Sequence, residues 1–222
     1  MYDAEATVAI NLVGTEAPRT TARRGRAALG AQKRFLDLAV AGALLLITLP
    51  LLLVIGLLIR LESPGPVLFR QRRGGLGGAP FVIFKFRTMT VVEDGDTIAQ
   101  AKPGDCRCTG LGRFLRRTSL DELPQLLNVL VGDMSLVGPR PHALAHDAQF
   151  QSQVSHYNLR FDVKPGITGL AQIRGWRGEA RTLSSLSGRL ASDLEYIDCW
   201  SFYGDIKLLI ATLKVPLDPR AY

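Results

Sequence analysis

The chain has 222 residues, of which 27 are basic and 20 acidic, giving a formal charge of +7. At 47% hydrophobic and 21% charged it is neither a disordered nor a collagen-like chain, and its length supports one well-sized core without cross-links. Three cysteines, two of them arranged Cys106-x-Cys108, provide no disulfide framework and no zinc spacing, which favours a reducing compartment.

Residues 1–32 are polar and rich in Ala, Thr and Arg without periodicity, and read as a flexible basic tail. From Phe35 to Ile59 run twenty-five residues with a single charge, Asp37. A helix rises about 1.5 Å per residue, so this stretch is long enough for a hydrocarbon core of about 30 Å. Pro50 interrupts it: proline has no N–H for the carbonyl of Leu46 and its ring crowds that carbonyl, so the spacing predicts a break into two pieces, each too short to span alone. Arg23, Arg24, Arg26, Lys33 and Arg34 lie before the stretch, and Arg60, Arg70, Arg72 and Arg73 after it. Both flanks therefore point to the cytoplasmic side, which a segment that enters, breaks at Pro50 and returns would satisfy. An ordinary kinked span remains open on these residues alone. A cleaved leader is poorly supported, because the apolar run starts late, is long and lacks a small-residue cleavage site.

After Ser63-Pro64-Gly65-Pro66, strands are predicted over 67–72 and 81–87, joined as a hairpin by Gly74-Gly75-Leu76-Gly77-Gly78. That glycine run is not followed by a Lys-Ser/Thr helix start and fails as a phosphate loop. Alternation places Phe81, Ile83, Lys85 and Arg87 on one face, where two partly buried cations call for an anion.

The densest polar signal is Arg113, Arg116 and Arg117, then Thr118-Ser119-Leu120-Asp121-Glu122-Leu123-Pro124-Gln125 and an apolar helix closed by Gly132 and Asp133. Ser119-x-x-Glu122 matches a capping box, and Pro124 fits a first turn, so a helix is predicted to start at 119–121. Asp121 and Glu122 then meet a positive helix end, stay ionised and flank a site. Further on, Pro139 and Pro141 stiffen the backbone around Arg140, which suits either bidentate phosphate recognition or a structural carboxylate pair. His142 and His146 lack a metal-binding arrangement. One helical region is expected over about 186–213, with Trp200, Phe202 and Tyr203 in the core or at an interface.

These residues together resemble the bacterial sugar transferases, monotopic polyprenyl-phosphate phosphoglycosyl transferases. The matching pieces are the Pro-broken apolar segment, Lys85-Phe86-Arg87-Thr88-Met89, the Arg116-to-Gln125 run, Gly132-Asp133-Met134-Ser135 with Gly138-Pro139-Arg140-Pro141, and Lys164-Pro165-Gly166-Ile167-Thr168-Gly169. Gly175-Trp176-Arg177-Gly178-Glu179, Asp193-Leu194-Glu195-Tyr196-Ile197 and terminal Ala221-Tyr222 are similar to the glucose-1-phosphate transferases that initiate exopolysaccharide synthesis. That subgroup often carries four more membrane helices ahead of this unit, and Cys106 and Cys108 depart from its pattern.

The resemblance implies an α/β fold: a helix-break-helix re-entrant segment over 33–60, followed by a compact catalytic domain of helices and a small sheet over 61–222. That domain would lie on the cytosolic face of the bacterial inner membrane. It also implies transfer of a sugar-1-phosphate from a UDP-sugar to undecaprenyl phosphate with release of UMP, glucose-1-phosphate being favoured over galactose-1-phosphate. Asp121 becomes a covalent nucleophile and Glu122 its metal or proton partner, with Mg²⁺ on Asp121 and Glu122. Arg140, Arg116, Arg117, Lys85, Arg87, Pro139, Pro141 and Gln125 become the phosphate- and substrate-binding set. Exopolysaccharide assembly proteins are possible partners, the lipid bilayer is a required one, and nucleic acid is excluded by the apolar segment beside the cations. Competing readings are a non-catalytic module binding nucleotide sugar or lipid phosphate, and a polyprenyl-phosphate phosphatase.

Overall fold

The computed structural model describes residues 30–90, 104–176 and 182–213. The expected tail over 1–32 falls outside the described residues except for its last three, as do 177–179 and the terminal Ala221-Tyr222.

Helix α1 (Ala31–Glu62) is 32 residues long and contains Pro50, about 48 Å at the usual rise. The two pieces expected on either side of Pro50 are one continuous helix. Proline removes a single ladder bond, and the apolar run on both sides supplies strong helix formers that carry the helix through it. The helix is long and apolar enough to cross a membrane by length and composition. Its burial is uneven. Lys33, Asp37 and Ala41, spaced i, i+4, i+8, share a buried stripe; nothing is buried from 42 to 54; Ile55 and Ile59 are buried again. Leu46 and Ile47 are each 74% exposed.

Strands β1 (Leu68–Gly74) and β2 (Pro80–Phe86) pair antiparallel, with Phe69 opposite Lys85 and Gln71 opposite Ile83, as the alternation predicts. A short 3₁₀ turn, Leu76–Gly78, joins them. Helix α2 (Gly110–Thr118) starts at Thr109, whose hydroxyl accepts from Gly112 N, and stops at Ser119, left-handed at φ 58°. A 3₁₀ turn, Leu120–Glu122, leads into α3 (Gln125–Val131), which Gly132 closes at φ 100°.

Strand β3 (Ser135–Val137) runs parallel to β4 (Gly166–Thr168). At its end the backbones touch so closely that a Cβ on Gly166 would lie 2.1 Å from Gly138 N, which brings the Pro139–Arg140–Pro141 turn down onto 164–168. Helix α4 (Leu144–Gln153), a 3₁₀ segment (Tyr157–Asp162), the single turn α5 (Leu170–Ile173), α6 (Leu183–Asp198) and α7 (Phe202–Thr212) complete the chain. The single helical region expected over 186–213 is therefore two helices. Ser201 breaks it by capping α7, its hydroxyl accepting from Gly204 N. Among the described residues the fold is helix-dominated, with two small two-stranded sheets. The main core packs Val129, Met134, Leu136, Val137 and Ile197 around Ala41 of α1. A second core sets Ile55 and Ile59 against Phe86 and Leu115.

Candidate active site

Three elements converge. β2 brings Lys85, the 3₁₀ turn after α2 brings Asp121 and Glu122, and the double-proline turn after β3 brings Arg140. Lys85 Nζ donates to Glu122 Oε1 at 2.9 Å. Arg140 donates to both oxygens of Glu122, with Nη1 to Oε2 at 3.0 Å, a bidentate fork that its stiff backbone presents. The anion expected beside Lys85 is thus Glu122, and both structural roles weighed for Arg140 and Lys85 meet on that one carboxylate.

The capping box does not form. Ser119 is left-handed and its side chain caps nothing, while Glu122 is turned away to the two cations. The helix starts instead after Pro124, at Gln125. Asp121 and Glu122 are consecutive residues of the 3₁₀ turn that follows this left-handed corner, and point about 120° apart around its axis.

Burial pushes Glu122 upward, but the charges and hydrogen bonds of Arg140 and Lys85 override it and hold the carboxyl well below its usual range. Burial pushes Asp121 up to about 6; Lys85, Arg116 and Arg140 pull it down and the charge of Glu122 adds to the rise. Asp121 is 7% exposed, yet among the described residues its carboxylate accepts no hydrogen bond. Burial also lowers Lys85, against the opposing charge of Glu122. The site therefore holds one locked carboxylate and one open one that remains mostly ionised at neutral pH.

The remaining expected residues are placed as follows. Arg116 is close enough to lower Asp121 and its Nη1 contacts Met89 Sδ at 3.9 Å. Arg117, one residue on, is exposed on α2. Arg87 is drawn elsewhere: it donates to Pro64 O at 2.8 Å and to Ser63 O at 2.7 Å, tying down the turn after α1. Gln125, one turn after Asp121, is buried with its Nε2 unpartnered. Pro139 and Pro141 are buried and, with Gly74, Gly75, Arg140 and Phe161, line a small surface cleft. No group of three or more His, Cys, Asp or Glu side chains among the described residues could hold a metal, and the three cysteines are unpaired.

Behind Arg140 lies a buried network that the sequence reading did not find. All three guanidinium nitrogens of Arg160 are engaged: Nε and Nη2 on Asp193 Oδ2, Nη1 on the Tyr157 hydroxyl at 2.9 Å, and Nη2 on the backbone oxygen of Arg140 at 2.6 Å. Arg189 donates to His142 Nε2 at 3.0 Å. At the other ring nitrogen, Nδ1 lies 2.9 Å from Arg160 Nη1 and 2.6 Å from the Tyr157 hydroxyl, which donates to Asp147 at 2.6 Å. Burial, reinforced by Arg160 and Arg189, keeps His142 well below its usual pKa and neutral. His146 stacks on Phe150 rather than joining His142 as a ligand pair. The available signal was polar residues on apolar periodic faces: Asp193 among Leu186, Leu190 and Ile197, and Arg160 between Leu159 and Phe161.

Comparison with known proteins gives the family of the chain. The family described as bacterial sugar transferase matches residues 28–218. A Caulobacter vibrioides protein named UDP-glucose:undecaprenyl-phosphate glucose-1-phosphate transferase is 54% identical over 188 residues, 85% of this chain and 70% of that one. Proteins of the same name from Escherichia coli and Xanthomonas campestris pv. campestris are 52% and 53% identical, over 82% and 73% of this chain. The chain spans only 39% and 34% of the length of those two. With the family match running over most of its length, the chain belongs to the bacterial sugar transferases.

Proposed function

We propose that this chain is a phosphoglycosyl transferase that moves glucose-1-phosphate from UDP-glucose to undecaprenyl phosphate and releases UMP, the membrane step that starts an exopolysaccharide. The observation that carries the reading is the open, buried carboxylate of Asp121 beside Lys85, Arg116 and Arg140. The names of the relatives supply the donor and the acceptor.

Two anions must react, and the cations around Asp121 offset their repulsion. An Asp121 oxygen attacks the sugar-bearing phosphorus of UDP-glucose. The bond from that phosphorus to the bridging oxygen breaks, and UMP leaves with the electron pair. A phosphate oxygen of undecaprenyl phosphate then attacks the same phosphorus and displaces the Asp121 carboxylate. Glu122, ionised and clamped, fixes Lys85 and Arg140 at the edge of the site. Mg²⁺ fits only in company with substrate: Asp121 alone offers an unengaged carboxylate, which with the diphosphate oxygens meets the preference of the ion for one or two carboxylates plus phosphates. When bound there, it neutralises charge on the leaving phosphate. Both oxygens of Glu122 are taken by cations, so of this pair it is Asp121 that would hold the ion.

The membrane placement follows from α1. Ala41 packs into the main core and Ile55 and Ile59 into the second, so both flanks of the apolar stretch rest on one body. Arg60 and Glu62 continue that attachment at the far end, bonding Gly65 O and Leu111 N. Flanks resting on one body support a placement of α1 at the surface of the inner membrane, with that body on the cytosolic side.

The deciding experiment is UMP release by nanodisc protein given undecaprenyl phosphate, Mg²⁺ and a panel of UDP-sugars. Release that depends on lipid and is largest with UDP-glucose, together with a glucose-phosphate mass increment on the peptide holding Asp121, is the expected result. Inorganic phosphate as product, or binding without turnover, overturns the reading.

A further inference from the structure

We infer that Asn128 is a positioning residue for the transfer site: its side chain stands in for a third strand on β2 and thereby sets Lys85 against the Asp121–Glu122 turn. This rests on the transferase reading for its kinetic arm only.

The sheet of β1 and β2 has two strands, so the edge of β2 that faces away from β1 has peptide groups without a ladder partner. Asn128, 0% exposed on α3, supplies one. Its Oδ1 accepts from Phe84 N at 3.0 Å and its Nδ2 donates to Val82 O at 2.7 Å. One carboxamide thus makes the two bonds that a neighbouring peptide would. Lys85 is the next residue along that strand. At the other end of α3, the backbone oxygen of Asn128 accepts from Gly132, Asp133 and Met134, and so shapes the exit into β3 and the turn bearing Arg140. Asn128 therefore sits on the helix that begins at the dyad, holds the strand carrying Lys85 by its side chain, and holds the approach to Arg140 by its main chain. Only an amide has the donor and the acceptor this edge needs. A carboxylate would face Val82 O with no hydrogen to offer, and leucine would leave both peptide groups buried and unpaired.

The test uses the full chain in nanodiscs with Asn128→Leu, and Asn128→Ser as a smaller change should the first fold poorly. Amine acylation of Lys85, read by mass spectrometry, is expected to accelerate at least five-fold, with faster hydrogen exchange over 81–86. In UMP release, the variant is expected to lower kcat about 30-fold in the wild-type background but under three-fold in Lys85→Met, since the effect acts through Lys85. An unchanged Lys85 acylation rate, or an equal kcat loss in both backgrounds, overturns the inference. Failure of UMP release in the wild type would overturn the transferase reading instead, while acylation still decides the role of Asn128.

Discussion

Two buried polar clusters share Arg140, and they differ in what they leave open. Behind it, Arg160 spends every nitrogen on Asp193, Tyr157 and the Arg140 backbone, and His142 is enclosed by Arg189, Arg160 and Tyr157. In front of it, Glu122 is equally committed, but Asp121, also buried, meets no hydrogen-bond donor among the described residues. Burying a carboxylate without partners is costly, and the rise of Asp121 to about 6 is the mark of that cost. A structural cluster closes on itself. A reactive one keeps a group that only a substrate can satisfy, and the closed cluster behind holds the open one in place.

The comparison breaks first at Asp121. Asp121→Asn keeps the shape and removes the nucleophile, so lipid-dependent UMP release is expected to fall by a factor of at least about 10³, the scale lost when a covalent nucleophile is deleted. The thermal transition should remain cooperative. Full activity in wild-type-free protein would end the covalent mechanism. At Arg160 the opposite profile is expected. Arg160→Met strands Asp193, which is 2% exposed, and unpairing a buried ion pair costs about 3–5 kcal/mol. Chemical denaturation should show that loss, whereas a Tm within a degree or two of wild type would mean the network adds nothing to folding.

Legibility in the sequence divides along the same line. The hairpin, the closing Gly132 and the dyad with its cations were readable because strand alternation, a left-handed glycine and clustered charge are local signals. The partner of Glu122 was not, since Ser119-x-x-Glu122 satisfies a capping rule that the left-handed corner at Ser119 overrides. Lys33 and Arg34 illustrate the limit best. Read as membrane-flanking charge, they are anchors: Lys33 Nζ bonds Asp205 at 2.7 Å and Val137 O at 3.0 Å, and Arg34 caps α3 through Val129 O and Leu130 O. Asp37, the one charge in the apolar stretch, accepts from Ser135 Oγ and Leu136 N. Those partners are 95 to 172 residues away, and no local pattern announces them. The family resemblance carried the reading where the local chemistry could not.

The open carboxylate also has a thermodynamic signature. The folded-state pKa of Asp121 lies above its ordinary value of 3.8, at about 6, so the folded state binds the extra proton between those limits. Its favourable contribution is present below about pH 4 and lost as pH rises through 6. At pH 7.5 the ionised group is then a destabilising burden of up to about 2–3 kcal/mol. In metal-free protein, Asp121→Asn is therefore expected to raise Tm at pH 7.5 and to leave it unchanged near pH 4. In the wild type, the rate of UMP release should fall as the nucleophile is protonated below about pH 6. A variant that is less stable than wild type at pH 7.5 would show that Asp121 is satisfied after all.

The smallest expected effect comes from an ion pair that looks as good on paper as any in the protein. Arg174 and Glu195 form a two-pronged bridge, at 2.6 and 2.7 Å, but 43% and 49% of their side chains stay exposed. Water screens the attraction and both long side chains give up rotamer freedom to make it, so such pairs contribute between zero and about 1 kcal/mol. Arg174→Ala should shift the denaturation midpoint by less than that, with UMP release unaltered. The contrast with Arg160 would then rest on burial and on its added bonds to Tyr157 and the Arg140 backbone, since both arginines contact a single carboxylate through two nitrogens and only one has lost its water. A loss at Arg174 comparable to that at Arg160 would mean that geometry, rather than burial, sets the worth of these pairs.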